Sequence, residues 1–243
     1  MYPRSMVRQA LGLGLLVTLV VVALSACNGG EKHKEFKPQP LPEDQQELRP
    51  GVYGSEEFKP SLSFRVGEGW SNDPPEASDA LLLGLTRDET VGLGFVNAQE
   101  VYKPTKTGTP NVVEAPEDMV GWFQQHPYLR TSQPQPVTVG GVEGVQFEVV
   151  VKDLPENYSG PCVWYLRDCV DIFETSSVVE SSVVGGSGEG GIAFEKDNKQ
   201  RLIVLENVKG KTVTMGFTIP ATEFDEQAPE AQKVIDSVEW TGS

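Results

Sequence analysis

The side chains of this chain best suited to covalent or metal chemistry are its 3 cysteines and 2 histidines. Cys27 closes the run Leu24-Ser25-Ala26-Cys27, a leucine and two small residues ahead of a thiol. That is the form of a bacterial lipobox, in which the thiol takes a diacylglyceryl group and the chain is cut before the cysteine. Cys162 and Cys169 are then an even pair, and outside a reducing compartment a disulfide is their default state. The loop they close is short, so the chain-entropy model allows about 2.5 kcal/mol of stabilisation at most. Two buried free thiols are the alternative. A zinc site would need further ligands, and only His33 and His126 could supply imidazoles, so no metal is expected.

Catalytic chemistry finds little to work with. Any triad or Cys–His dyad beyond the amino-terminal segment would have to use His126, which follows an expected helix and precedes Pro127. A capping role suits it better. With both cysteines bonded, no thiol nucleophile remains. Asp168, Asp171 and Glu174 could offer oxygen ligands to calcium, but they lack the ligand spacing and invariant glycine of an EF-hand loop. A solvated acidic face is expected there. Paired carboxylates for glycoside hydrolysis are defined by separation in space, and 35 acids give sequence no way to nominate a pair. The glycine run Gly185–Gly191 is interrupted by Glu189 and runs into a strand-like Ile192-Ala193-Phe194, so it reads as a flexible loop rather than a phosphate cradle. Trp70, Trp122 and Trp240 fall on or beside core elements. Trp164 and Tyr165, with Asp168 and Asp171 close by, make the candidate binding surface. Asn157-Tyr158-Ser159 matches a glycosylation sequon and is read as chance. No catalytic residue and no cofactor is expected.

The segment ahead of Cys27 supports the lipid reading. Met1–Gln9 carries Arg4 and Arg8 and no acid, and Ala10–Leu24 is apolar apart from Thr18 and two glycines. That run is shorter than the ~20 residues a membrane-crossing helix needs and has the plan of a secretory signal peptide. The competing reading is an ordinary signal peptide with a coincidental cysteine. At ~0.8 kcal/mol per buried methylene, two palmitate-length chains would hold the mature protein on its membrane almost permanently. Loss of Arg4 and Arg8 with residues 1–26 takes the net charge from −15 to −17. So acidic a surface repels nucleic-acid phosphates and anionic lipid, which leaves the acyl chains as the expected membrane contact. Residues 27–50, rich in Gly, Pro, Lys and Glu, read as a tether. Residues 51–243 are expected to form one globular domain on the extracytoplasmic face of the cell membrane.

Within that domain, period-two alternation marks strands. Leu62, Phe64 and Val66 alternate with Ser63 and Arg65, and Val145, Phe147, Val149 and Val151 share a face. Ala80–Leu85 and Val91–Asn97 suggest a hairpin turned at residues 86–90, with Gly84, Gly92 and Gly94 marking bulges or close backbone approach. Pro136–Val139 pairs with Val145–Lys152 through Gly140–Gly144, and Arg201–Asn207 with Thr212–Ile219 through Lys209-Gly210. Leu202-Ile203-Val204-Leu205 is apolar on both faces, the mark of a strand covered on each side. A helix is expected over Pro116–Gln125, burying Met119, Trp122 and Phe123, and another over Phe224–Ile235 with Pro229 restarting it after one turn. The order implies an α+β fold, an antiparallel sheet flanked by helices.

Three stretches also carry a family resemblance. Leu62-Ser63-Phe64-Arg65-Val66-Gly67-Glu68-Gly69-Trp70 resembles the strand that opens PsbP-like domains, with Gly67 where that family often has proline. Ala231–Trp240 is similar to the family's last helix and closing strand, and Val139–Gly144 to its glycine-marked hairpin. The likeness spans roughly Tyr53 to Trp240 and extends to uncharacterised actinobacterial-type lipoproteins. It implies an α/β/α sandwich and no enzyme activity. The photosystem and Ran-binding roles known in the family have no matching residues here. The reading is therefore a non-enzymatic accessory or binding module, lipid-anchored, presenting a surface to an envelope protein partner. A small-ligand binder or enzyme with a cleft above the sheet is the alternative, and a structural spacer a third.

Overall fold

The structure is a computed structural model describing residues 37–73, 76–86, 88–105, 110–156, 158, 160, 162, 168–176, 186–187 and 191–242. The chain runs through strands β1 (Gln39–Pro40), β2 (Gly51–Ser55), β3 (Leu62–Val66), β4 (Trp70–Asp73), β5 (Ala80–Leu85) and β6 (Asp88–Asn97). β7 (Glu100–Lys103) and β8 (Asn111–Glu114) lead into helix α1 (Met119–Gln125), then β9 (Leu129–Thr131), β10 (Gln135–Val139) and β11 (Val142–Val151). β12 (Cys169–Glu174), β13 (Gly186–Ser187), β14 (Gly191–Glu195), β15 (Asn198–Val208) and β16 (Lys211–Pro220) precede α2 (Phe224–Asp236) and β17 (Glu239–Trp240).

Leu202-Ile203-Val204-Leu205 organises the interior. All four side chains are buried, and alternate ones enter different cores. Burial of each contributes roughly 1.5–3 kcal/mol. β15 lies between β11 and β16 in an eight-stranded antiparallel sheet ordered β10-β11-β15-β16-β6-β5-β4, with β9 also paired to β11. On one face Ile203 and Leu205 pack with Val213, Met215 and Phe217, under α2 and a four-stranded sheet β1-β2-β3-β17. On the other, Leu202 and Val204 pack with Met119 and Phe123 of α1 and with β12 and β14, part of a five-stranded sheet β13-β14-β12-β7-β8. The α+β expectation is met, with each helix sharing its layer with a small sheet.

Turn chemistry sets the hairpins. Lys209 and Gly210 have φ of 53° and 81°, and Gly140 and Gly141 of 56° and 79°. Successive positive values are the primed turns whose twist matches paired strands. The second hairpin is consequently tighter than expected, because β11 begins at Val142. At Gly140 a side chain would also meet the Trp240 ring at 2.6 Å. Similarly β6 begins at Asp88, and the irregularity in its pairing falls between Gly84 and Leu85 rather than at Gly92 or Gly94.

Four expectations about boundaries and burial change. α1 starts at Met119, because the Asp118 carboxylate accepts the Gly121 N–H at 2.7 Å and so acts as N-cap. That leaves Pro116 outside the helix, and Trp122 is only half-buried at the edge of the core. α2 runs through Pro229 without a restart, burying Phe224, Ala228, Ala231, Val234 and Ile235. Finally, the second half of the expected tether is docked. β1 pairs with β2, Leu48 is buried, and the Asn72 amide donates to the carbonyls of Pro42 (2.8 Å) and Asp44 (3.0 Å). Folded structure thus extends back to Gln39, ahead of the boundary expected at residue 51.

Candidate functional site

Asp168 and Asp171, two of the expected surface residues, take up opposite environments when β12 is placed in its sheet. Cys162 and Cys169 are joined as a disulfide, and both are buried. Asp168 is exposed, with Lys196 Nζ at 4.0 Å from its carboxylate. Asp171, expected on a solvated acidic face, is only 2 % exposed. Its Oδ1 accepts the Cys162 N–H at 2.8 Å and its Oδ2 lies 3.4 Å from the Tyr158 hydroxyl. Burial pushes the Asp171 carboxyl up to about 6, against those stabilising bonds and with some repulsion from Glu174. Burial and the Asp171 carboxylate likewise hold the Tyr158 phenol above its ordinary value. The carboxylate therefore ties the disulfide loop to the sheet and is no part of a binding surface. Trp164 and Tyr165, like Cys27, lie outside the described residues.

A line of rings continues from this cluster. Tyr158 meets Tyr128 (5.6 Å between centroids), Tyr128 meets His126 (5.9 Å), and His126 meets Trp122 (5.1 Å). His126 is the C-cap of α1 through its backbone N–H, which donates to the Phe123 carbonyl. Its ring does a second task, with Nδ1 accepting the Tyr128 N–H at 3.3 Å. Nε2 is buried without a partner, and burial lowers the imidazole to about 4. A neutral ring locked this way is poorly placed to exchange protons with a substrate. Among the described residues, no group of three His, Cys, Asp or Glu side chains could hold a metal ion.

Two recesses among the described residues bear on function. The first lies between the central sheet and the five-stranded sheet, where Gly94 and Gly216 stand opposite each other and leave bare backbone under Phe173, Ile192 and Phe194. Its volume is ≈ 30 Å³. About 10–15 Å³ holds a water, while an apolar cavity of about 150 Å³ is needed for benzene, so this hollow is too small for an organic ligand. Gln200 Oε1 and Thr214 Oγ1 line it, buried without protein partners.

The second recess is open, polar and ≈ 840 Å³, and its walls carry Asp79, Glu100, Glu114 and Glu174. Strand register explains the cluster: Glu114 pairs with Glu100, and Glu100 with Glu174, across β8, β7 and β12. The Tyr102 hydroxyl donates to Glu174, and Ser176 donates to Asp79 from both its N–H (2.8 Å) and its hydroxyl (2.6 Å). Sequence reading missed this row, since its members are far apart along the chain and only pairing aligns them.

No protein-family model matches this chain. Nor does any curated protein. Among solved structures it is similar to cyanobacterial PsbP (CyanoP) from Synechocystis sp. PCC 6803, at 10% identity over 80% of this chain and 95% of that one, with a TM-score of 0.39. LpqN, involved in cell envelope biogenesis of Mycobacterium tuberculosis, is similar at 9% identity over 82% of this chain and 91% of that one, with a TM-score of 0.31. A Bacteroides thetaiotaomicron protein overlaps at 12% identity over 75% of this chain and 46% of its own, with a TM-score of 0.34.

Proposed function

We propose that this chain is an exported lipoprotein, held on the outer face of a membrane by acyl chains on Cys27, whose domain is a non-enzymatic accessory or binding module. The observation that carries the reading is the Cys162–Cys169 bond. Those are the only cysteines after Cys27, and a buried structural disulfide belongs to an oxidising compartment. Such a compartment is where the amino-terminal residues would send the chain. The enzyme alternative has little support, because His126 is buried and occupied and the hollow above the sheet is about the size of two waters. What the domain offers a partner is surface, most of all the open acidic recess.

Replacement of Cys27 by serine tests the anchor. The variant is expected to incorporate no labelled fatty acid, while the parent chain is labelled at that position. Labelling of Cys27→Ser equal to that of the parent would sink the proposal.

A further inference from the structure

The five-stranded sheet ends in β8, and among the described residues nothing pairs with that strand's outer edge. All four residues of Asn111–Glu114 are exposed, including Val112 at 41% and Val113 at 36%. Register shows which backbone groups face outward. Ala115 N–H donates to Gln99 O, and Val113 pairs with Val101. Hydrogen-bonded pairs alternate along an antiparallel ladder, so Val113 turns its N–H and C=O toward β7 while Val112 and Glu114 turn theirs outward. Such an edge is a template for another strand unless something guards it. No proline or lysine does so within β8.

Charge selects the occupant. Glu100 stands directly opposite Glu114 on one side and Glu174 on the other, at the ~4.5–5.5 Å spacing where like charges on adjacent strands repel. Asp79 lines the same recess. A second copy of this chain would bring the same acids and a net charge of −15 to the contact. A basic segment would instead relieve the repulsion.

We propose that the outer edge of β8 docks an extended lysine- or arginine-bearing segment of a partner protein. The segment adds as a further strand, bonded to the Val112 and Glu114 backbone, with its basic side chains reaching Glu100 and Glu114. This deepens the accessory-module reading and rests on it for the existence of a partner.

The test titrates the full chain with two synthetic peptides, one alternating valine with lysine and one alternating valine with glutamate. Val112→Pro is the deciding variant, because it deletes an outward N–H and leaves the bonds to β7 in place. The valine–lysine peptide is expected to bind, more weakly as salt rises, and the valine–glutamate peptide not to bind. Affinity is expected to fall at least about tenfold in Val112→Pro, and by a similar factor in a Glu100→Lys, Glu114→Lys double variant. Unaltered binding to a folded Val112→Pro overturns the proposal, as does binding of neither peptide, or sedimentation showing the chain paired with itself at this edge. If Val112→Pro does not fold, the double variant decides by the same criterion. Acylation of Cys27 is read separately, so failure here and failure of the anchored-module reading are distinct results.

Discussion

Replacing Phe123 with alanine is expected to remove about 3–5 kcal/mol of folding stability, the range for deleting a fully enclosed aromatic side chain. Phe123 is 0% exposed, and its ring packs against both the central and the five-stranded sheet. Its ring lies 5.6 Å from Phe147 of the central sheet, and 6.0 Å and 6.3 Å from Phe173 and Phe194 of the five-stranded sheet. Aromatic pairs of this kind contribute about 0.5–1.5 kcal/mol beyond area burial. Because domains of this size are stable by only about 5–15 kcal/mol, the loss should move the urea midpoint far while leaving the slope unchanged. A cost below about 1 kcal/mol would mean that α1 does not hold the two sheets together.

The second large effect is a pH dependence with two opposed parts. Asp171 titrates near 3.8 in an unfolded chain and at about 6 in the folded one. Its contribution is therefore fully present below about pH 3.8 and is lost as pH rises through about 6, a change on the order of 3 kcal/mol. His126 works in the other direction. Its value falls from 6.5 to about 4 on folding, so its contribution is present above pH 6.5 and is lost as pH falls toward 4. The groups facing Asp171 are Tyr158, the Cys162 N–H and Glu174, while Tyr128 stands between Tyr158 and His126. The two slopes oppose each other between pH values of about 4 and 6.

In Asp171→Asn, the amide can still accept the Cys162 N–H and bond the Tyr158 hydroxyl, yet it carries no charge. The variant is expected to match the parent near pH 4, and to be more stable by up to about 3 kcal/mol at neutral pH. Urea midpoints of both proteins across that range check the difference, in which all other titrations cancel. Identical slopes would show that Asp171 ionises as freely folded as unfolded.

Asp171 also shows where sequence reading ends. The apolar neighbours Val170 and Ile172 announce a strand, but nothing local says that the chain around Tyr158 and Cys162 returns to cover the acid. The same holds at the amino-terminal boundary, where a polar, proline-rich stretch looks like tether until Asn72, distant in sequence, bonds its carbonyls. The row of Glu114, Glu100 and Glu174 likewise exists only once β7, β8 and β12 are in register. By contrast, Leu202–Leu205 and the Lys209-Gly210 turn were legible because burial on both faces and a positive-φ turn each leave a local signature. Among the expected site residues, the cysteine pair was legible by elimination. Of its companion acids, Asp168 faces solvent as expected, whereas Asp171 faces the core, which nothing local announces.

The most direct measurement is the intact mass of the amino-terminal peptide released from protein extracted out of its own membrane. It is expected to start at Cys27 with a diacylglyceryl adduct on sulfur. A free thiol at that position, or a peptide still bearing the residues ahead of it, would contradict the anchor and the compartment inferred from it.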